Sequence, residues 1–500
     1  MSRTSASLLS TLVVPLTISG EPLQRQIYGR LRAAILAGQL LPGTQIPSSR
    51  ELARELGVGR NTVLAAVEQL TTEGYLQSER GSGTFVHRTL PDDARPAAQP
   101  TAQRTVRAKP YAPFPTRIRN LTRLTALLPP SGELRPFLPC VPAVDAFPFA
   151  LWGRLASQFW RRPPAQVFGL GESAGYSPLR GVVADYLAHA RAVRCDPEQV
   201  IIVSGAQQAL DLVARVLLEP GDTVWMEEPG YQGAHASLIA SGARVVPVPV
   251  DEQGLSVKCG HALAPHARLV YCTPSHQFPL GHTMSLTRRL ELLAWARQTR
   301  AWVLEDDYDS EYRYGSRPIP ALQGLAENDQ VLYVGTFSKV LFPSLRLGYL
   351  VVPDALVDTF AIIRAIATGA SSIMDQAVLT RFIERGHFGR HIRRMRTLYQ
   401  ERRASLQEAA AENLAGLIDL AQTGAGLHAV GMLRTGATDQ LTLVRAAQAG
   451  LDFIPLSSLY QGSAALQGLV FGFAPFAPAT IRTAVRTLAQ VLTRPSRGAR

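Results

Sequence analysis

Lys339, in the stretch "VLYVGTFSKVLFPSLRLGYL" (331 to 350), is one of only three lysines in the chain, with Lys109 and Lys258, although Lys and Arg together number 51. A chain that writes its positive charge as arginine would use arginine wherever charge alone suffices. A primary amine can lose its proton when desolvated and condense with a carbonyl, whereas a guanidinium stays protonated. The alternative is a lysine placed by chance at a strand end, so its surroundings must decide. In "SGAQQAL" a strand runs through a small-residue turn into a helix start, and the amides of Gly205, Ala206 and Gln207 would point at an anion. Tyr231 offers a flat ring after "VWMEEP". "VLEDDYDSEY" places Asp306, Asp307 and Asp309 at the end of an apolar strand, where a desolvated carboxylate needs a cationic partner. Thr336 and Ser338 flank the lysine in "GTFSK", and Arg346 follows seven residues on. A phosphate cradle, a stacking ring, a carboxylate and an amine together describe a site for pyridoxal 5'-phosphate. That cofactor needs an aldehyde trapped by lysine, a pyridinium nitrogen held by a carboxylate and a phosphate anchor.

Elements must bring these groups together. From about residue 135, apolar runs such as "QVIIVSG", "DTVWMEEPGY", "RVVPVPV", "RLVYCTP", "AWVLEDDY" and "VLYVGTFS" alternate with helical patterns, among them one through Leu210 to Leu217. This is the pattern of a parallel sheet covered by helices. Ligands in such folds sit at the carboxyl ends of the strands, where the unusual residues fall.

The N-terminal quarter has a different character. Leu23, Ile27, Leu31, Ala34 and Ile35 form one helical face. In "PSSRELARELGVGRNTVLAAVEQL", Ser48 or Ser49 caps a helix that Gly57 closes, and a second helix starts near Arg60. Two short helices joined by a tight Gly-containing turn make a helix-turn-helix, whose second helix turns Arg60, Asn61 and Thr62 toward base edges. "LQSERGSGTFV" reads as a hairpin with Gly81, Ser82 and Gly83 at its tip, a wing that brings Arg80 to phosphate or the minor groove. A small helical interaction module is the plainer reading of any one feature alone.

Between His87 and about Leu134 the chain turns to Pro, Ala, Arg and Thr, as an extended tether would. The net charge is +12, and residues 1 to 120 carry 15 Lys and Arg against 8 Asp and Glu, which points to a polyanionic partner. The four cysteines show no CxxC spacing, so neither a disulfide framework nor a metal site is expected, and a reducing cytoplasm fits. "SLLSTLVVPLTIS" is interrupted by Pro15 and does not read as a secretion signal. No run is long and apolar enough to span a bilayer, so no membrane partner is expected.

The stretch "PSSRELARELGVGRNTV" with "GYLQSERGSGTFV" resembles the GntR-type winged helix-turn-helix. The runs "AGYSPLR", "VIIVSGAQQALDL", "EEPGYQG", "TPSHQFPLG", "LEDDYDSEYRY" and "YVGTFSKVLFPSLRLGYLVVP" extend the likeness to the MocR/GabR group, in which such a reader is joined to a fold-type I aminotransferase-like domain. The resemblance implies a multidomain chain: a winged helix-turn-helix at 15–88, a Pro/Arg-rich linker at 89–134, and an α/β pyridoxal phosphate-binding domain at 135–500. The last has a smaller C-terminal α+β subdomain at roughly 365–500. It implies that Lys339 forms the internal aldimine, Asp306 pairs with the pyridinium nitrogen, Tyr308 approaches the ring hydroxyl and Tyr231 stacks on the ring. Gly205, Ala206, Gln207, Thr336 and Arg346 would hold the phosphate, and Arg50, Arg60, Asn61, Thr62 and Gly83 would lie at the DNA surface.

Three departures from the family pattern stand out. Val470 in "LVFGFAPF" occupies the place of an arginine that grips a substrate carboxylate. Leu170 stands where a tyrosine reaching the partner subunit's phosphate is common, and Phe278 replaces the asparagine of Asn-Pro-x-Gly. His276 and Gln277 are further candidates for contact with cofactor or effector. The expected function is a cytoplasmic, nucleoid-associated transcription regulator, a head-to-tail homodimer. It would bind double-stranded operator DNA and sense pyridoxal phosphate, an amine or an amino acid through Lys339, with at most a partial transamination half-reaction. The competing expectation is a working aminotransferase carrying a DNA-binding domain.

Overall fold

The computed structural model describes residues 21–79, 81–90, 121, 133–169, 171–314, 319–369, 372–421, 424–434 and 438–493. Arg80, Leu170 and most of the tether at 89–134 lie outside the described residues. The chain divides into two compact units, Met1–Ala112 and Pro113–Arg500.

In the first unit, α1 (Leu23–Leu36), α2 (Ser49–Leu56) and α3 (Arg60–Thr72) accompany β1 (Gln45–Ile46), β2 (Leu76–Glu79) and β3 (Gly83–Val86). The strands form an antiparallel sheet in the order β1, β3, β2. Ser48 Oγ accepts the Glu51 amide at 3.3 Å and so caps α2, and Gly57 ends it with φ 63°. Gly59 then caps α3, so the turn between the helices is three residues long, from Gly57 to Gly59. Ile27, Leu31 and Ile35 of α1 meet Leu52, Val63, Ala66 and Leu70 in one core. The periodic apolar residues are what join these helices, because none is long enough to be stable by itself.

The second unit is built on eight strands: β4 (Val200–Val203), β5 (Thr223–Glu228), β6 (Arg244–Asp251), β7 (Gly254–Leu255), β8 (Leu269–Cys272), β9 (Trp302–Asp307), β10 (Val331–Thr336) and β11 (Gly348–Val351). Their order is β4, β11, β10, β9, β8, β5, β6, β7. From β10 to β6 neighbours are parallel, while β11 runs antiparallel to both β10 and β4. Strands β4, β8, β10 and β11 are buried at every residue, as expected of a sheet covered on both faces. Pro247 and Pro249 occur in β6, whose outer neighbour β7 is only two residues long, so their missing N–H groups break no long ladder.

A second sheet, antiparallel, holds β12 (Ile418–Leu420), β13 (His428–Leu433), β15 (Gly468–Gly472) and β14 (Ile454–Pro455) in that order. Alternation along β15 divides its side chains between two faces. Leu469 and Phe471 join the main core, and Val470 joins a separate apolar cluster with Val430, Phe278 and Leu459. Among the described residues no helix is long and apolar enough to cross a membrane.

Candidate functional site

The carboxyl ends of β4, β5, β8, β9 and β10 converge on a cavity of about 300 Å³. After β4 the chain passes through Gly205 into α4 (Ala206–Leu217), which begins four residues before the expected Leu210. Gly205 adopts φ 107° and ψ 172°, a region that is essentially glycine's alone. This turn sets the first amides of α4, which have no intrahelical acceptors, at the cavity edge. Thr336 ends β10, and Ser338, Lys339 and Arg346 lie on the passage to β11, with Arg346 itself at a left-handed turn (φ 49°). Gly205, Ala206, Gln207, Thr336, Ser338 and Arg346 all line the cavity.

Asp306, 4% exposed, lies on β9 at the bottom of this cavity. Its Oδ2 accepts the Tyr271 hydroxyl at 2.8 Å, and its Oδ1 has no hydrogen-bond partner. Burial pushes its carboxyl from 3.8 up to about 7, against the lowering effects of Tyr271 and Lys339. Its neighbour Asp307 does find the cation that a buried carboxylate requires: Arg191 Nε lies 2.7 Å away, and the Tyr333 hydroxyl donates to the same oxygen at 2.5 Å. Lys339 Nζ donates to the Cys140 carbonyl at 2.8 Å.

Behind the cavity lies a buried polar group. His276 Nδ1 is 3.0 Å from the Tyr308 hydroxyl and 3.0 Å from Asp309 Oδ1. Asp309 Oδ2 also accepts the Leu427 amide at 3.3 Å. A methyl at Gly426, where φ is 84°, would stand 2.0 Å from His276 Cε1, so only glycine lets the backbone pass so close to this pair. His428 Nε2–H donates to the Pro279 carbonyl (3.0 Å), and burial lowers its pKa to about 4, which keeps the imidazole neutral.

The remaining wall is apolar. Cys140, Phe278, Ile454 and Leu459 line it, with Gln232 and Ser458 as neutral polar groups. Phe278 precedes a cis proline and presents a ring where an amide would offer a hydrogen bond. Val470 is fully buried, paired across the small sheet with Val430 and Ile454.

Of the cofactor-contact residues expected from the sequence, Lys339, Asp306, Tyr308, Tyr231, Gly205, Ala206, Gln207, Thr336 and Arg346 all line this one cavity. His276 does not: it stands behind Tyr308. Sequence reasoning missed Tyr271, Thr273 and Cys140. The first two lie in "RLVYCTP", where a strand ends in polar residues, a signal of the kind used elsewhere. Cys140 gave none, since its contribution is a carbonyl brought from 199 residues away. On the first unit, Arg50, Arg60 and Asn61 are exposed, Thr62 is half-buried, and Gly83 is exposed at the start of β3. Arg60 Nε lies 3.4 Å from Ser49 Oγ.

Comparisons with known proteins cover both units. Residues 23–86 match the model for bacterial regulatory proteins of the gntR family, and residues 165–435 match that for aminotransferase class I and II. The chain is 42% identical to the probable rhizopine catabolism regulatory protein MocR of Rhizobium meliloti, over 93% of each chain. The chain belongs to the MocR group of GntR-type transcriptional regulators. This regulator is also 32% identical to the pyridoxine biosynthesis transcriptional regulator PdxR of Corynebacterium glutamicum, over 91% of its own length and 93% of that protein's. Its structure matches the kynurenine aminotransferase of Pyrococcus horikoshii, solved in complex with PMP, with TM-score 0.67 and 26% identity over 76% of this chain and 94% of the other. The regulator thus joins a winged helix-turn-helix DNA reader to a domain with the type I fold of pyridoxal phosphate-dependent transferases.

Proposed function

We propose that the cavity of the large unit holds pyridoxal phosphate and that its occupancy, or the amine it carries, governs how the reader engages operator DNA. The observation that carries this reading is Asp306 Oδ1, a buried carboxylate oxygen without a partner, in the same cavity as the rare lysine. An unpaired buried carboxylate is costly, and a protonated ring nitrogen is the kind of cation that would relieve it. The donor set fits the rest of the group. The α4 amides, Thr336, Ser338 Oγ (which lacks a partner) and Arg346 would hold a phosphate. Tyr231 would cover the ring, Tyr308 would donate to its oxygen, and Lys339 would hold the aldehyde. When bound, the cofactor supplies a carbonyl carbon that condenses reversibly with primary amines.

Lys339 is the group that makes such a site responsive, because its amine can be displaced by that of another ligand. A ligand shifts the reader only if it binds one arrangement of the protein more tightly than another. We assign the reader to 15–88, a linker to 89–134 and the cofactor domain to 135–500, in a head-to-tail homodimer within the cytoplasm. Arg60, Asn61 and Thr62 contact base edges, while Arg50, Arg80 and Gly83 meet the backbone or minor groove.

The test is the visible absorbance of the purified protein with added pyridoxal phosphate, beside Lys339→Ala, together with operator band shifts. A band that requires Lys339 and a DNA affinity or spacing preference that changes with loading are expected. No band, or DNA binding indifferent to loading, would remove the sensing reading.

A further inference from the structure

The cavity's charges bear on what the effector is. Among its lining residues the cations are Lys339 and Arg346. Under the reading above, on which this inference rests, the first is engaged with the cofactor aldehyde and the second with its phosphate. The other side chains of the outer wall are Cys140, Phe278, Ile454 and Leu459, with neutral Gln232 and Ser458. Phe278, Ile454 and Leu459 belong to one apolar cluster that continues through Val430, Leu456 and Val470, and the buried group behind the lining residue Thr273 is another carboxyl, Glu227, rather than a cation. Val470 is 0% exposed and lies directly across the strand pair from Ile454.

A carboxylate carried into this wall would lose its water and find no cation among the described lining residues other than Lys339 and Arg346. An amine with a hydrocarbon or hydroxyl-bearing body avoids that cost, and Ser458 and Gln232 can meet a hydroxyl. Gln232 Oε1 is buried and has no partner. We infer that the effector exchanging with Lys339 is a primary amine with no carboxylate beside its nitrogen, and with an apolar or neutral hydroxyl-bearing body. In the exchange, the C=N bond to Nζ breaks as one forms to the incoming nitrogen. The two hydrogens leaving that nitrogen restore the Lys339 amine, so neither water nor a redox partner is consumed.

Three ligands with the same hydrocarbon body separate the possibilities: 3-methylbutylamine, L-leucinol and L-leucine, each titrated into the full-length, cofactor-loaded protein while the absorbance band is followed. The amine and the amino alcohol are expected to shift the band at concentrations at least tenfold below leucine. Ile454→Arg, which adds a cation at a half-buried wall position, is expected to narrow or reverse the preference. If that variant fails to fold, the wild-type comparison decides. Leucine acting at an equal or lower concentration than the amine overturns the inference. So does a band that none of the three ligands moves, which leaves the cofactor reading in place. Absence of the band in wild type, or its persistence in Lys339→Ala, removes the cofactor reading and this inference with it.

Discussion

The Tyr308 hydroxyl and Asp309 Oδ1 both lie 3.0 Å from a single atom, Nδ1 of His276. One nitrogen carries at most one hydrogen, and a carboxylate only accepts, so the proton on Nδ1 belongs to the bond with Asp309. The Tyr308 hydroxyl cannot then donate to that nitrogen, and its own hydrogen is left for the cavity. On the proposed reading, His276 acts on the cofactor only through Tyr308, against whose ring it packs at 5.8 Å.

Replacing His276 with phenylalanine should loosen this arrangement. A hydroxyl donating to an anionic ring oxygen favours the deprotonated form of the bound cofactor. Weakening it should raise the pH midpoint of the absorbance change, by about half to one pH unit. Tyr308→Phe should raise it further, and His276→Asn, which can still donate to Asp309, should recover part of the difference. A purely structural His276 would lower cofactor retention with the midpoint unmoved.

Asp306 should make the cofactor-free protein sensitive to pH. Its carboxyl is raised from 3.8 to about 7 by burial. Below the lower value it is protonated in both folded and unfolded chains. As pH rises toward about 7 only the unfolded chain ionises readily, so the folded state loses stability through that window, and the loss is complete above it. Asp306→Asn keeps an acceptor for Tyr271 and removes the charge. It should stabilise the cofactor-free protein little near pH 4 and by a few kcal/mol at pH 8, since a tenfold difference in proton affinity between the folded and unfolded chains is worth about 1.4 kcal/mol. Urea unfolding at the two pH values measures this. The loaded protein should respond oppositely, losing cofactor affinity. An equal effect of the substitution at both pH values would mean that the Asp306 carboxyl is not raised.

On the reader, Arg60 and Asn61 stand exposed at the start of α3, while Arg50 is exposed on α2. Arg60→Ala and Asn61→Ala should each cost about 1–3 kcal/mol on the preferred operator and relax its sequence preference at one position. Arg50→Ala should weaken binding to all sequences alike and make the salt slope shallower by about one. Band shifts on the operator and on single-base variants, at several salt concentrations, distinguish the two behaviours. A uniform loss from Arg60→Ala would exclude it from base readout.

Much of the site was legible in the sequence because a parallel sheet writes itself plainly. Its strands are buried on both faces and read as apolar runs, and the polar residues that break those runs fall where ligands bind. Gly205, Tyr231, Asp306, Thr336 and Lys339 were found in this way, each at or just beyond the end of a strand. The helix-turn-helix was legible for a similar reason, since its caps and apolar stripe are local.

Other features follow from pairings that no local pattern contains. Asp306 and Asp307 are adjacent in sequence, yet successive side chains on a strand point to opposite faces. One therefore meets the Arg191 cation, and the other, held by the Tyr271 hydroxyl, faces the cavity. His276 reads as a candidate ligand contact, and only the packing of Asp309 and Gly426 around it turns it toward Tyr308 instead. The apolar wall joins Phe278 to Ile454, Leu459 and Val470 across nearly two hundred residues. The chemistry available to this protein was thus set by residue types and local periodicity. Which carboxylate meets a cation, and which side chains wall the cavity, was decided by the approach of distant strands, because burial and charge pairing depend on neighbours in space.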